Sequence, residues 1–175
     1  MAITSSSPAS RYVRGTLNTM KIQAPASYQI NPGDFVYASV PTSGSSVEQA
    51  FTASAQPWGG SLQATQVNAA PNFVGVALDQ RLPSDASTGQ QILIATQGQF
   101  LYPCTALGSA ANVGTAVAPD KDTGSNMLDQ QIAVSVATGG GGGIGRVVEF
   151  AAVNATQLLV EIQSNAIFNN KAGTI

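Results

Sequence analysis

The apolar residues of this chain fall into short runs bounded by turn residues, not into long helical stripes. FVYASV (35–40) follows a Pro-Gly turn at Pro32 and Gly33. From Phe73 the runs come densely as FVGVALD (73–79), QQILIAT (90–96) and QFLYP (99–103), parted by PSDASTGQ and by Gly98. Short runs rich in Val, Ile and aromatic residues between turn residues read as strands. QQIAVSVAT (130–138) alternates strictly at Ile132, Val134 and Val136, the pattern of a strand with one buried face. LLVEIQ (158–163) likewise sets Leu158, Val160 and Ile162 on one face. The pattern predicts a mostly β fold, a compact β-barrel or β-sandwich-like domain with little helix.

Two stretches lack this pattern. Residues 1–30 are rich in Ser, Pro, Ala and Thr and poor in large apolar side chains, so they read as an extended N-terminal arm that gains order only by docking. Residues 41–70 hold Pro41, Gly44, Pro57, Gly59 and Gly60 and read as a long excursion from the β domain. Ser46 and Gln49, spaced as a capping box, open one short helix there, which Pro57 ends. Trp58, in PWGG, reads as a local packing anchor. The expected organisation is an arm over 1–30, a β domain over 31–165 and a tail over 166–175.

One internal echo stands out. FVGVALD, a turn-rich spacer and QILIATQ run in the same order as GIGRVVEF, AAVNAT and QLLVEIQ. Gly75 corresponds to Gly145 in that comparison, and both glycines are expected at bulges or close backbone approaches in equivalent strand pairs.

Composition narrows the function. A chain of 175 residues, 43% hydrophobic, buries a sizeable core, yet only 9% of it is charged, against about 25% in an ordinary soluble domain. Such a surface suits a subunit largely covered by neighbours. The net charge of −2 gives no general attraction to nucleic acid or anionic lipid. The charges are unevenly placed, however: Arg11, Arg14 and Lys21 all precede the first acid, Asp34, which makes the arm basic on an acidic body. No run of eighteen apolar residues spans a bilayer and the first residues do not form a secretory signal, so the simplest expectation is a soluble protein made in a cytoplasm. The lone Cys104 leaves stability to packing or assembly.

Little site chemistry remains. The chain has no histidine, which removes Ser-His-Asp and Cys-His nucleophile systems and most zinc sites. A Ser-Lys pair would have to draw on Lys21, Lys121 or Lys171, all in arm, loop or tail contexts where a lysine is solvated and fully charged. Cys104 follows a Pro at the end of an apolar run and has no neighbouring cation to activate it, so it reads as a buried small hydrophobe. Asp120, Asp122, Gly124 and Asn126 faintly suggest a calcium loop. The glycine is misplaced, though, and Gln131 stands where the closing Glu belongs, so a polar hairpin tip is the better reading. Asn154-Ala155-Thr156 reads as a turn.

The sharpest motif is the run of five glycines at 139–143. Gly140, Gly142 and Gly145 satisfy G-x-G-x-x-G, and Glu161 falls where a dinucleotide fold keeps its ribose-binding acid. A nucleotide-binding protein using Gly139 to Gly145 is therefore the rival reading from another functional class. Only fourteen residues follow Glu161, however, and the chain upstream shows no strand-helix alternation. The run is expected to be a flexible hairpin tip joining AVSVAT to IGRVVEF.

The order GDFVYA, FVGVALD, TGQQILIATQGQFLYPC, ANVGTAVAPD, IGRVVEF and LLVEIQ resembles the capsid decoration, or cement, proteins of tailed bacteriophages, over roughly residues 31 to 163. This chain differs in its long 41–70 excursion, its five-glycine run and its basic arm. The resemblance implies a homotrimeric, non-enzymatic structural virion protein that clamps neighbouring major capsid proteins from outside and stabilises the shell. It implies no cofactor, no nucleic acid and no membrane partner. Arg11, Arg14, Lys21 and Trp58 are the candidate capsid or subunit contacts. A tail, fibre or base-plate component is the alternative within the same class.

Overall fold

The computed structural model describes residues 11–24, 29–39, 49–52, 61–82, 90–121, 128–135 and 143–168. In chain order the elements are β1 (Arg11–Gln23), β2 (Phe35–Ser39), β3 (Gln49–Thr52), α1 (Leu62–Ala69), β4 (Phe73–Ala77), β5 (Gln91–Pro103), β6 (Ala116–Lys121), β7 (Leu128–Val134), β8 (Gly145–Val147), β9 (Gln157–Gln163) and α2 (Asn165–Phe168). The fold is mostly β, as the apolar pattern predicts, and its sheet is an open, curled half-barrel. The strand order is β1-β3-β2-β4-β5-β9-β8-β6-β7, with an additional β1–β5 pairing.

β5 organises the sheet. One of its edges pairs with β1 from Gln91 to Leu101; the other pairs with β4 at Ile94 and Ala95, then with β9 from Gln97 to Pro103. β1 also meets β3 at Gln23 and Gln49, so β1, β3, β2, β4 and β5 close into a ring. The expected break at Gly98 is absent, and QQILIAT and QFLYP form one thirteen-residue strand. The Phe100 ring lies over Gly98 and covers the backbone that the missing side chain leaves bare.

Two apolar clusters flank the central strands. Ile22, Ile30, Val36, Val74, Ala77, Ile92 and Ile94 form one. Phe35, Tyr37, Phe73, Val76, Phe100, Tyr102, Val117, Ile132, Ile144, Leu158, Val160 and Ile162 belong to the other. β2 and β4 feed both clusters, which is why FVGVA is apolar without alternation: a strand buried on both faces has no polar side to display. A bulge opposite the Val36–Tyr37 step shifts the phase of β4, so Phe73 and Val76, three residues apart, share a cluster. The Phe35 and Tyr102 rings stack at 4.5 Å, and Phe73 meets the Tyr37 ring edge-on at 5.6 Å.

The internal echo is physical. A side chain at Gly75 would place its Cβ 2.1 Å from the Ala95 carbonyl oxygen on β5, and one at Gly145 would lie 2.3 Å from the Glu161 carbonyl oxygen on β9. Both positions are close backbone approaches between a glycine-bearing strand and the strand that comes after it in the chain.

Three further expectations need correction. Gln49–Thr52 is strand β3, not part of a helix opened at Ser46, a residue outside those described. The helix of this region is α1, capped by Ser61, whose Oγ accepts from the Ala64 N–H at 3.2 Å; the chain then passes through a 3₁₀ turn containing Pro71. Residues 11–23 of the segment read as an arm form β1, docked on the chain's own β5. Finally, the glycine run does not join neighbouring strands. Val117 of β6 pairs with Val134 of β7 on one side and with Gly145 of β8 on the other, so the connection passes from one flank of β6 to the other, about 10 Å. Residues 139–142 lie outside those described. Gly143 is held where its carbonyl accepts from Asn165 Nδ2 at 2.7 Å.

Candidate interaction surface

β1 carries the three basic candidates. Its residues from Arg11 to Thr19 are exposed on both faces, Tyr12, Val13 and Leu17 included, where β5 holds the strand along one edge. Lys21 is exposed further along, before Ile22 turns into the core. Arg11 and Arg14 share the outer end of the strand, and Lys21 stands seven residues beyond Arg14, roughly 20 Å away at the rise of a strand. The cations therefore form a line, not a cluster. Trp58 lies outside the described residues.

Register extends this line into a polar row across four strands. Arg14 pairs with Gln99 of β5, Gln99 with Glu161 of β9, and Glu161 with Arg146 of β8. Arg14 Nε donates to Gln99 Oε1 at 3.1 Å, and one row along Asn18 Nδ2 donates to Gln97 Oε1 at 2.8 Å. Arg146 turns away and donates to the Gly114 carbonyl at 2.9 Å. Nothing in the sequence alone pairs these residues, since the row exists only once β5 is flanked by β1 and β9. Glu161, tempting as a ribose ligand, is a member of this row.

Between the outer end of β1 and the body lies a cavity of about 130 Å³, lined by Arg11, Tyr12, Pro32, Gly33, Leu78 and Phe100 among others. Tyr12 stands edge-on to Phe100 at 5.8 Å. One wall is the Asn31-Pro32-Gly33-Asp34 turn, with Pro second and Gly33 third at φ 93°, the geometry a type II turn demands. Gly33 N–H donates to the Ala77 carbonyl at 2.7 Å, and Tyr102 OH donates to the Gly33 carbonyl at 2.7 Å. Asp34 is fully buried beneath the turn; its Oδ2 accepts from the Asn31 N–H at 2.8 Å, while Oδ1 has no hydrogen-bond partner. Burial pushes its pKa up to about 7, against a partial opposing pull from the Asn31 hydrogen bond.

A second exposed feature lies where Ala111 and Ala151 bridge two loops: Val113, Phe150 and Val153 are 66%, 60% and 52% exposed, the most exposed large apolar residues among those described. Cys104 is buried, as expected, and burial followed by the nearby Asp120 charge pushes its thiol upward, away from the reactive thiolate. The expected hairpin at PDKDTGSN has its flanks paired, Lys121 with Leu128, and its tip at 122–127 outside the described residues. No group of three His, Cys, Asp or Glu side chains is placed to hold a metal among the described residues. The glycine run leads into strand β8, so no helix N-terminus stands behind it to face a phosphate.

The arrangement defines a curled β domain with an exposed, cation-bearing strand on its surface. No family model matches the chain, and no curated protein matches it by sequence. Among solved structures it is similar to the N-terminal base of the head fibre protein gp8.5 of bacteriophage phi29, at 12% identity and a TM-score of 0.40, over 85% of this chain and 96% of that one. A likeness of that size transfers neither site nor function.

Proposed function

We propose that this is a non-enzymatic structural protein of a phage virion that binds the outside of the capsid lattice and stabilises it. The supporting observation is β1: a long strand, exposed on both faces at its outer end, with Arg11, Arg14 and Lys21 free of any ion pair among the described residues. A sequence so sparsely charged supports the same reading, as does the resemblance of its order of apolar runs to that of decoration proteins. In this reading the partners are the major capsid protein and two further copies of the chain. The exposed face of β1 is the attachment element, and affinity comes from weak contacts repeated by symmetry.

The test is cosedimentation of purified protein with expanded, undecorated capsids. The protein is expected to pellet at micromolar concentration, and Arg11→Glu/Arg14→Glu/Lys21→Glu to lower occupancy while leaving the circular dichroism spectrum unchanged. Failure of the unaltered protein to pellet overturns the reading. Unchanged occupancy of the triple variant overturns the role given to β1.

A further inference from the structure

We propose that the 31–34 turn is a proton-operated latch on the wall of the Arg11–Phe100 cavity, closed while Asp34 is neutral and buried, and opened as Asp34 ionises and swings out to meet Arg11. In the closed state Asp34 sits beneath the turn with one oxygen bonded to the Asn31 N–H and the other without a partner. Water is excluded from it, and no cation is within ion-pair reach among the described residues. A neutral carboxyl tolerates that position; an ionised one with a single backbone donor does not.

The groups around the turn leave one destination for the charge. On β5, Tyr102 is occupied with the Gly33 carbonyl. Tyr37, on β2, is a buried phenol held neutral by burial. Beyond β4, Asp79 accepts from the Leu93 N–H, and Arg81, bridged to Ile30, is fully buried, its Nη1 bonded to Gln90 and its Nε and Nη2 without a hydrogen-bond partner, so it offers no solvent-accessible destination. On β1, Tyr12 and Arg11 face the turn across the cavity, and Arg11 is exposed and free of any acid partner among the described residues. Arg11 is thus the one accessible cation, among the described residues, that shares a space with the turn.

Opening breaks specific bonds: Gly33 N–H to Ala77 O at 2.7 Å, Ala77 N–H to Asp34 O at 2.9 Å, and Asn31 N–H to Asp34 Oδ2 at 2.8 Å. The direction in pH is set by linkage. In the closed state Asp34 holds its proton up to about pH 7, and in the open state it releases it near the ordinary 3.8. Closure is therefore fully favoured below that lower value, weakens about tenfold per pH unit up to 7, and levels off above it.

The experiment is native-state hydrogen exchange of the Gly33 and Ala77 amides from pH 4.5 to 8.5, corrected for intrinsic exchange, in the full chain. The expected result is an opening constant that rises about tenfold per pH unit and flattens above 7 in the unaltered protein, and is flat in Asp34→Asn. Arg11→Gln is expected to lower the opening constant above pH 7 several-fold with the closed state intact. The same pH dependence in Asp34→Asn overturns the proposal, and so does an opening constant at Gly33 and Ala77 no larger than that of the β5–β9 amides, which would mark global unfolding. An Arg11→Gln profile identical to the unaltered one overturns the part given to Arg11.

Discussion

Gly75→Ala is the most direct trial of how the sheet is held together. The added methyl carbon would sit 2.1 Å from the Ala95 carbonyl oxygen and 2.9 Å from both the Ala95 carbonyl carbon and Ile94 Cγ2. An ordinary carbon–oxygen contact needs about 3.3 Å, so β4 and β5 have to part by roughly 1.2 Å. That is enough to break the hydrogen bonds at the Val76–Ala95 and Ala77–Ile94 pairs. Two lost backbone bonds at about 1 kcal/mol each, with about 1–3 kcal/mol for the strained core around them, give about 3–5 kcal/mol. That is a large part of the stability of a domain this size. Gly145→Ala meets the Glu161 carbonyl oxygen at 2.3 Å, but β8 is only three residues long and yields more easily, so about 2–4 kcal/mol is expected. Two other glycines calibrate the series. Gly108 has open space and ordinary backbone geometry, so Ala there stays within about 0.5 kcal/mol; Gly114 has open space but φ 87°, so Ala costs about 1–2 kcal/mol through backbone strain alone. Urea unfolding at constant m-value reads all four. A Gly75→Ala midpoint indistinguishable from that of Gly108→Ala refutes the close approach and, with it, the equivalence of the two strand pairs.

Ser61→Ala removes the α1 cap and is expected to cost about 1 kcal/mol in urea with a small loss of helical dichroism; no change places the helix start elsewhere. Arg81→Met replaces a fully buried guanidinium whose Nε and Nη2 have no hydrogen-bond partner, so stability is expected to hold or rise by about 1–4 kcal/mol, and a comparable loss would reveal a compensating acid. Asp34→Asn should flatten the pH dependence of stability. The folded-state pKa of Asp34 is raised from 3.8 to about 7, so the unaltered protein is most stable below that lower value and loses stability as pH climbs to 7. The loss is at most on the order of 4 kcal/mol, and parallel stability–pH curves for the two proteins in urea would contradict this.

The features legible in the sequence are signals completed within a few residues. The Pro32-Gly33 turn, the alternation at Ile132 and Val134 and the unbroken apolar run of FVGVA each encode their own local geometry; the turn and FVGVA stand where their patterns place them, and β7 runs Leu128–Val134, with Val136 outside the described residues. The hidden features depend on partners distant in sequence. β1 carries no alternation because, among the described residues, both faces of its outer half stay exposed, and it is held as a strand by the edge that β5 offers. α1 buries Thr65, Gln66 and Ala69, so polar residues face inward and Gln66 Nε2 donates to the Pro119 carbonyl at 3.3 Å; the helix has no apolar stripe to betray it. The five glycines announce a break in structure but not where the chain goes next, because the interposed strand, β6, comes earlier in sequence. The Arg14–Gln99–Glu161–Arg146 row draws on four strands and has no local trace at all.

The way β1 is held sets how it carries load. Its pairing with β5 shifts register between Tyr12 and Arg14, between Arg14 and Asn18, and again between Asn18 and Thr19, which divides it into an outer section with Arg11 and Arg14 and an inner one from Thr19 to Gln23. The outer section contributes no residue to either core cluster, whereas the inner one is anchored by Ile22 in the same cluster as Ile92 and Ile94 of β5. Local opening therefore begins at the outer end and stops at the inner section, where apolar burial rises. A contact made through Arg11 or Arg14 is compliant and one made through Lys21 is stiff. In the proposed function, a strand graded in this way lets the outer cations adjust to the shell while Lys21 transmits force to β5, the strand on which both clusters of the core are built.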